Sequence, residues 1–558
     1  MTTMLDTGAA GRHSSWTRRR VPIHSLAICA FLAVAGCVGD IGDPSGSDST
    51  TGDLQPAGLR LLTPVQYQNS IRDVLGADVP VQAVGQWRSS LAAAQGGVSL
   101  TAVEEYETAA LEAAEFVFSD PGRRAALAGC EPSIDAADAC VTGLLQTLGR
   151  RAFRRALTAT ETARYATLAA NTAALFDEPW RGVEYAVAGL LQSPDFLYRV
   201  ELGEPDPDDP SRLRFTSHDM AARLSYFIWN TTPDEELLLA AGADALVFDA
   251  GLGAQVTRLL ASDRARAGAG QFFGDLLDVD SLLYVEKDTN WAPAFTDTIG
   301  PAMRDQLRLT IDQVALSENG DYRDLFDTRS TFVNAELAAL LGLPGAFGDA
   351  LEPVTLPEGP RAGLLALPGI LTLNSGESST SPTLRGKFVR NVLLCQSIPP
   401  PPAGVTAELP DAKPGEPVTT RDLLSQHLTD ESCASCHRFM DPIGFALENF
   451  DAIGTFRAEQ NEITIDASGD IDGTKFADAA GLGSAMRDHE LLAPCFMRNL
   501  YRYGAGHIEQ GIEVGTVDEL SQSFVEDGYR VRAAFELVAL SKSFRLAAIP
   551  TGIEEGGK

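Results

Sequence analysis

The chain has 558 residues, 44% of them hydrophobic and 22% charged, which is the balance of a globular protein of several domains. Collagen, wholesale disorder and a polytopic membrane protein are excluded by that composition. Its 76 acidic residues against 44 basic give a formal net charge of −32. A surface that acidic repels phosphate backbones, so nucleic acid is not an expected partner.

The chain opens on an export signal. The cationic run Arg18, Arg19 and Arg20 precedes an apolar stretch, Leu26 to Ala35, too short to span a bilayer and right for a signal-peptide core. It ends in Val34-Ala35-Gly36-Cys37, a lipobox in which small residues precede a cysteine that is diacylated and becomes the new N-terminus. Residues 1–36 are therefore expected to be removed, Cys37 to carry lipid, and residues 37–58, rich in Gly, Ser, Asp and Thr, to act as a solvated tether. An ordinary signal peptide with an incidental cysteine is the alternative. The residue after Cys37 is Val38, which carries no signal for retention in the inner membrane. The expected address is the cell envelope, at the outer membrane, with the lipid bilayer as a partner through the anchor.

From residue 60 to about 345 the pattern is mostly helical. In TPVQYQNSIRDVLG, Thr63 caps a helix that puts Tyr67, Ile71 and Val74 on one face. SLTAVEEYETAALEAAEFVF is a long amphipathic candidate. The stretch from Cys140 to Phe176 reads as two helices, the second capped by Thr158 or Thr160. WRGVEYAVAGLLQSPDFLYRVE follows, ending in a turn at Ser193-Pro194-Asp195. The Pro/Asp cluster at 204–215 reads as a linker. SHDMAARLSYFIW, GAQVTRLLASDRARAGAGQFFGDLL, AMRDQLRLTIDQVA and VNAELAALLGL are further helices, and strands are hard to find. Near 345 Pro and Gly rise, and SIPPPPAG (397–404) reads as an extended connector. A helix from Thr419 runs into ESCASCH, ITIDASGDIDGTKF reads as a short hairpin, and two helices, LLAPCFMRNLYRYGAGH and VRAAFELVALSKSF, close the chain.

Eight cysteines are present. Cys29 leaves with the leader and Cys37 is the lipid site. Cys130 and Cys140 lie close enough for a local disulfide, and Cys395 and Cys495 then pair by elimination, since an exported compartment permits disulfides. Buried free thiols are the alternative for both pairs.

Cys433-Ala434-Ser435-Cys436-His437 is a CxxCH, the attachment signature of c-type haem. Two thiols three residues apart reach the two vinyl groups along one porphyrin edge, and the adjacent imidazole swings beneath the iron. His437 is then the proximal ligand. Distal candidates are His427, Met486, His489, Met497 and His507; Met440 lies too close to reach the opposite face. Arg385, Arg438 and Arg457 are candidates for the propionates or for solvated surface positions. Structural zinc on Cys433, Cys436 and His427 or His437 is an alternative, as is a disulfide within CxxC. The sequence Asp466 to Gly473 resembles a calcium loop, but Ala479 stands where a bidentate Glu is required, so a polar hairpin turn is expected. Nucleophile elbows, HExxH and phosphate-cradling loops are missing, so no hydrolase or kinase is expected and no catalytic residue is assigned.

The segment CASCHRFMDPIGFALENFDAIGTFR (433–457) resembles the haem-motif segment of a large multi-domain family. Its members are planctomycete and myxobacterial cytochrome-like proteins built from serial domains of unknown function, 1587, 1595, 1592, 1588 and 1585. LRLLTPVQYQNSIRDVLG is similar to the first of these. LGRRAFRRALTATE with LLQSPDFLYRVE resembles the second, and RFTSHDMAARLSYFIWNTTPDEEL the third. RAGLLALPGILTLNS, TSPTLRGKFVRNVLLCQSIPPPP and the CxxCH segment resemble the fourth, and CFMRNLYRYGAGH the last. The resemblance implies helical domains at 59–125, 126–203 and 211–342, a CxxCH domain at 358–458 and a C-terminal helical domain at 474–546. The fold class expected is mainly α: a helical scaffold with a C-terminal cytochrome-c-like helical region and a short β-hairpin. The family often has a histidine before its CxxCH, which strengthens His427. Its last domain usually ends a helix in Gly-Arg, whereas this chain has Gly506-His507. The function expected is electron transfer by covalent haem c at the cell envelope, with a redox partner protein. A non-enzymatic surface scaffold holding zinc or a disulfide, and a haem-dependent oxidase, are the alternatives.

Overall fold

Helix starts are written in side-chain caps. Thr63 accepts from the Gln66 amide at 3.1 Å while Gln66 reaches back to the Thr63 amide, a reciprocal cap that opens helix Pro64–Leu75. Tyr67, Ile71 and Val74 are buried on one face as expected, and Gly76 at φ 64° ends the helix. Thr158 with Glu161, not Thr160, opens helix Ala159–Phe176 in the same way. Thr216 with Asp219 opens Ser217–Ile228. The structure is a computed structural model that describes residues 54–76, 79–82, 84, 98–135, 138–317, 320–399, 418–427 and 431–550. The expected export signal, Cys37 and the proline tract from Pro400 onward lie outside the described residues.

The fold is mainly α-helical, with short strands in small antiparallel sheets. The serial segments share cores. Residues from Leu61 to Leu197 close one core around Tyr67, Tyr106, Phe118 and Phe196, and helix Ser217–Ile228 lends it Ala222 and Tyr226. A second, continuous core runs from Phe215 to Ala547 and includes Phe272, Tyr322, Phe496 and Phe535. Helix Ser217–Ile228 serves both, and so fixes one core against the other.

Several elements differ from the sequence reading. Tyr198–Glu201, beyond the expected turn at Ser193-Pro194-Asp195, is a strand antiparallel to Gly58–Leu61. The expected linker at 204–215 is the hairpin Glu204–Pro205 and Arg212–Arg214, and its second strand pairs with Leu546–Ala548 near the other end of the chain. The single helical stretch at 253–277 breaks at Ser262, which caps Asp263–Leu277 after Asp249–Leu260 ends. Helices Ala479–Arg487 and Ile512–Glu526 were not legible. The second carries Gly515 and β-branched residues and has no side-chain cap, so its local signals are weak.

The strand Tyr198–Glu201 escapes a hydropathy reading because its buried face is charged. Glu201 is 1% exposed. It accepts from Arg60 at 2.9 Å and from Arg223, with Arg199 at 3.4 Å on its other oxygen. Arg223 also donates to the Phe544 carbonyl at 3.1 Å. Arg60 approaches His507 Nδ1 at 3.2 Å, His507 Nε2 meets Glu513 at 2.9 Å, and Tyr501 donates to Glu513 at 2.8 Å. Burial alone would raise the Glu201 pKa, but the three guanidiniums outweigh it and hold the carboxyl at about 2.

Glu201→Gln leaves three buried guanidiniums short of a counter-charge and should cost about 3–5 kcal/mol of stability at neutral pH. Because the folded pKa is depressed, the native contribution is present above the ordinary glutamate pKa and lost as pH falls towards about 2. Urea midpoints measured at pH 7 and pH 3 should therefore fall less steeply in the variant; equal slopes in both proteins would refute this role.

Candidate functional site

The CxxCH lies on helix Glu431–Phe445, where Cys433, Cys436 and His437 fall at i, i+3 and i+4 and so share one face. Met440, Asp441 and Gly444 continue that stripe into the interior. The stripe passes from half-buried at Cys433, Cys436 and His437 to buried at Met440 and Asp441. Cys433 and Cys436 are thiols, not joined to each other.

Glycines seat the helix. A Cβ on Gly386, in helix Pro382–Phe388, would lie 2.0 Å from the Met440 carbonyl oxygen, and one on Gly444 would lie 1.9 Å from that of Pro382. Across the helix, a Cβ on Gly469 of strand Gly469–Ile471 would lie 2.0 Å from the Pro442 oxygen. Backbone therefore touches backbone on both sides of the motif-bearing helix.

Two buried arginines brace the chain beyond the helix and along its flank. Arg385 is 1% exposed. It donates to the carbonyls of Leu447, Phe450 and Asp451 at 2.7–3.0 Å and meets Glu448 at 3.2 Å. Burial pulls its pKa down to about 10 against the attraction of Glu448. Arg457 pairs with the other Glu448 oxygen at 3.0 Å. Arg385 is thus no surface residue, and both guanidiniums hold the segment C-terminal to the helix. Arg438 is exposed. On the flank, buried Arg390 donates to the Phe439 carbonyl at 3.0 Å, stacks on the Phe439 ring at 3.7 Å and pairs with Asp472 at 2.8 Å.

Asp472 is paired with Arg390 and with His489, the latter at 3.0 Å. Asp470 accepts from the Gly473 amide at 3.1 Å in the turn between Gly469–Ile471 and Thr474–Phe476. The expected polar hairpin turn is present. Among the described residues no group of three acidic, Cys or His side chains is gathered to hold a metal ion.

His437 is oriented from its own helix. Its Nδ1 lies 2.9 Å from Asp441 Oδ2, one turn on, and Thr383 Oγ1 donates to Asp441 Oδ1 at 2.8 Å. Asp441 is 2% exposed. The hydrogen bond to Asp441 outweighs burial and raises the imidazole pKa. A ring that donates from Nδ1 carries its lone pair on Nε2, the arrangement that supporting carboxylates impose on metal-ligating histidines. Asp441 and Thr383 were not singled out from sequence, although the His-x-x-x-Asp spacing signals the pair.

The distal candidates part company. His507 uses both ring nitrogens, on Arg60 and Glu513. His489 uses Nε2 on Asp472, and its Nδ1 accepts from the Leu491 amide at 3.2 Å. Met486 and Met497 are fully buried in the second core. His427 ends helix Thr420–His427, which packs on the motif-bearing helix; its side chain lies outside the described residues. Both expected disulfides form, Cys130–Cys140 and Cys395–Cys495, and the second joins the chain just after Val389–Leu393 to helix Leu492–Ala505.

The glycine seats give a direct test. Gly386→Ala should destabilise by about 3 kcal/mol, because backbone must move to admit one methyl. Gly253→Ala, where nothing lies within 4 Å of the added carbon, should be neutral or gain up to about 1 kcal/mol. Denaturant titration of the two variants checks the contrast, and equal midpoints would remove the seating argument.

Family models match the chain in series, each described as a protein of unknown function: residues 140–201 (DUF1595), 215–343 (DUF1592), 361–460 (DUF1588) and 472–544 (DUF1585). No curated protein and no solved structure matches it. The third match ends just past the CxxCH segment and contains Arg385, Thr383, His437 and Asp441 together. With these domains in this order, the chain belongs to the multi-domain planctomycete-type family built from them.

Proposed function

We propose that this chain is an exported, lipid-anchored carrier of one covalent c-type haem that works in electron transfer at the cell envelope. The observation that carries the reading is the orientation of His437 by Asp441, itself held by Thr383. A surface histidine beside two chance cysteines has no need of a buried carboxylate directing its ring. The donor set fits the group: two half-buried thiols and an imidazole share one helix face, and the ring's lone pair is placed on Nε2. Cys433 and Cys436 would fix the porphyrin edge and His437 would ligate the iron. Bound haem supplies a one-electron couple. The chain's own part is to hold its histidine rigidly, through the Gly386 and Gly444 seats, and to make the imidazole a stronger donor through Asp441. His489 and His507 are committed to other partners and both methionines sit inside the apolar core, so His427 would be the candidate left to ligate the iron with His437.

Protein from a host able to attach haem should show a c-type pyridine haemochrome and keep haem-stained colour on a denaturing gel. The double variant Cys433→Ala, Cys436→Ala should lose both. Asp441→Asn should keep the covalent haem but raise its midpoint potential by roughly 60–120 mV, the equivalent of tenfold to hundredfold weaker support of the ferric state. His427→Ala should convert a low-spin spectrum to high-spin without loss of haem. Colourless protein carrying equimolar zinc, or with Cys433 and Cys436 joined to each other, would replace the haem reading with a structural one.

A further inference from the structure

Strand register gathers exposed apolar residues at the edge where the chain enters its body. In the pair of Gly58–Leu61 with Tyr198–Glu201, Gly58 faces Glu201, Leu59 faces Val200 and Arg60 faces Arg199. Arg60, Arg199 and Glu201 point inward to the buried charges; on the alternate face Leu61 is packed into the first core, and the exposure is confined to the end of the pair near Gly58. There Leu59 and, just past the strand, Leu202 are 54% and 55% exposed. Pro56 bridges Ala548 in parallel, and the Ala548 amide donates to the Gln55 carbonyl at 2.8 Å. That pairing brings Ile549, 48% exposed, alongside Ala57 on the same edge. Single exposed apolar side chains are ordinary, but these three come from separate segments of the chain and converge.

The location of this edge identifies what covers it. Leu54 stands seventeen residues after Cys37, so a lipid on that cysteine keeps this edge within roughly 60 Å of the bilayer even at full extension of 3.3–3.6 Å per residue. The neighbouring cations are already used: Arg212 pairs with Asp206 and Arg214 with Glu204, both at 2.7 Å. The net charge is −32. Attraction to anionic headgroups is therefore absent, and the contact has to be apolar. We propose that Leu59, Leu202 and Ile549 form a docking edge that rests on the bilayer holding the Cys37 lipid. The proposal rests on the lipoprotein reading above.

The test uses the full lipid-modified protein in phosphatidylcholine and phosphatidylethanolamine vesicles doped with a photoactivatable phosphatidylcholine. Crosslinked lipid should map to the peptides carrying Leu59, Leu202 and Ile549, and not to Leu175 or Tyr284, which are 78% and 80% exposed elsewhere. The triple variant Leu59→Asp, Leu202→Asp, Ile549→Asp should lose at least tenfold of that yield with an unchanged far-ultraviolet spectrum. Doping the vesicles with phosphatidylglycerol should not increase it. Crosslinks spread over all exposed apolar residues would overturn the proposal. So would crosslinks absent here until residues 551–558 are deleted, because the chain's own end would then occupy the edge. The mass of the N-terminal peptide is read on the same sample: an unmodified cysteine ends the anchor reading and this proposal with it, whereas an acylated one without these crosslinks ends the proposal alone.

Discussion

One buried carboxylate holds the two ends of this protein to its middle. Glu201 meets Arg60 from the first strand, Arg199 from its own strand and Arg223 from the helix shared by both cores. Arg223 continues to the carbonyl of Phe544, and Arg60 to His507 and the last domain. A charge in such a place is expensive to desolvate, so it persists only because all of its partners arrive together. The geometry is reciprocal. The network is complete only when segments about 450 residues apart in sequence have docked, since Arg60 and His507 are separated by 447 positions. Folding the ends is thus coupled to folding the centre.

The candidate site sits downstream of that coupling. Tyr501 joins the charged network through Glu513, and the same helix, Leu492–Ala505, carries Cys495. Its disulfide to Cys395 holds the segment just after Arg390, and Arg390 grips the Phe439 carbonyl two residues beyond His437. Glycine contacts at Gly386, Gly444 and Gly469 complete the seat. The imidazole is directed by Asp441, whose own rotamer is fixed by Thr383 from the neighbouring helix. Each support acts on a different part of one helix, so the position of His437 is over-determined. Under the electron-transfer reading, a ligand that does not move between oxidation states would lower the reorganisation that electron transfer demands.

Much of this was legible in the sequence. Thr63 announces its helix through a reciprocal cap, Thr158 was one of the two caps read for the helix it opens, and both disulfides follow from counting cysteines. The failures have physical reasons. The strand Tyr198–Glu201 buries an arginine and a glutamate and so inverts the alternation by which strands are recognised. The hairpin at 204–214 looks like a linker because its third strand, Leu546–Ala548, arrives from more than 300 residues away, and tertiary pairing overrides local composition. Arg385 and Arg457 read as surface cations because nothing in sequence reveals that carbonyls of Leu447 and Phe450 and the carboxylate of Glu448 will need donors. His507 reads as a spare ligand for the same reason: its partners, Arg60 and Glu513, are invisible until the ends meet.

The placement of arginine also shapes the outside of the molecule. A chain with 44 basic residues against 76 acidic ones spends several of its arginines indoors, Arg60, Arg154, Arg199, Arg223, Arg361, Arg385 and Arg390 among them. Several of these hold main-chain carbonyls: Arg154 on Phe196, Arg223 on Phe544, Arg361 on Ala366, and Arg385 on Leu447. Acids are buried with them, Glu201, Asp441, Glu448 and Glu513 among these, so the excess of acids in the composition is carried to the surface. Under the electron-transfer reading this selects a basic partner and speeds its arrival, with the encounter weakening as salt screens the field. The same acidity sets the terms for the edge around Leu59: a body that anionic headgroups repel rests on a bilayer only where apolar side chains, not cations, face it.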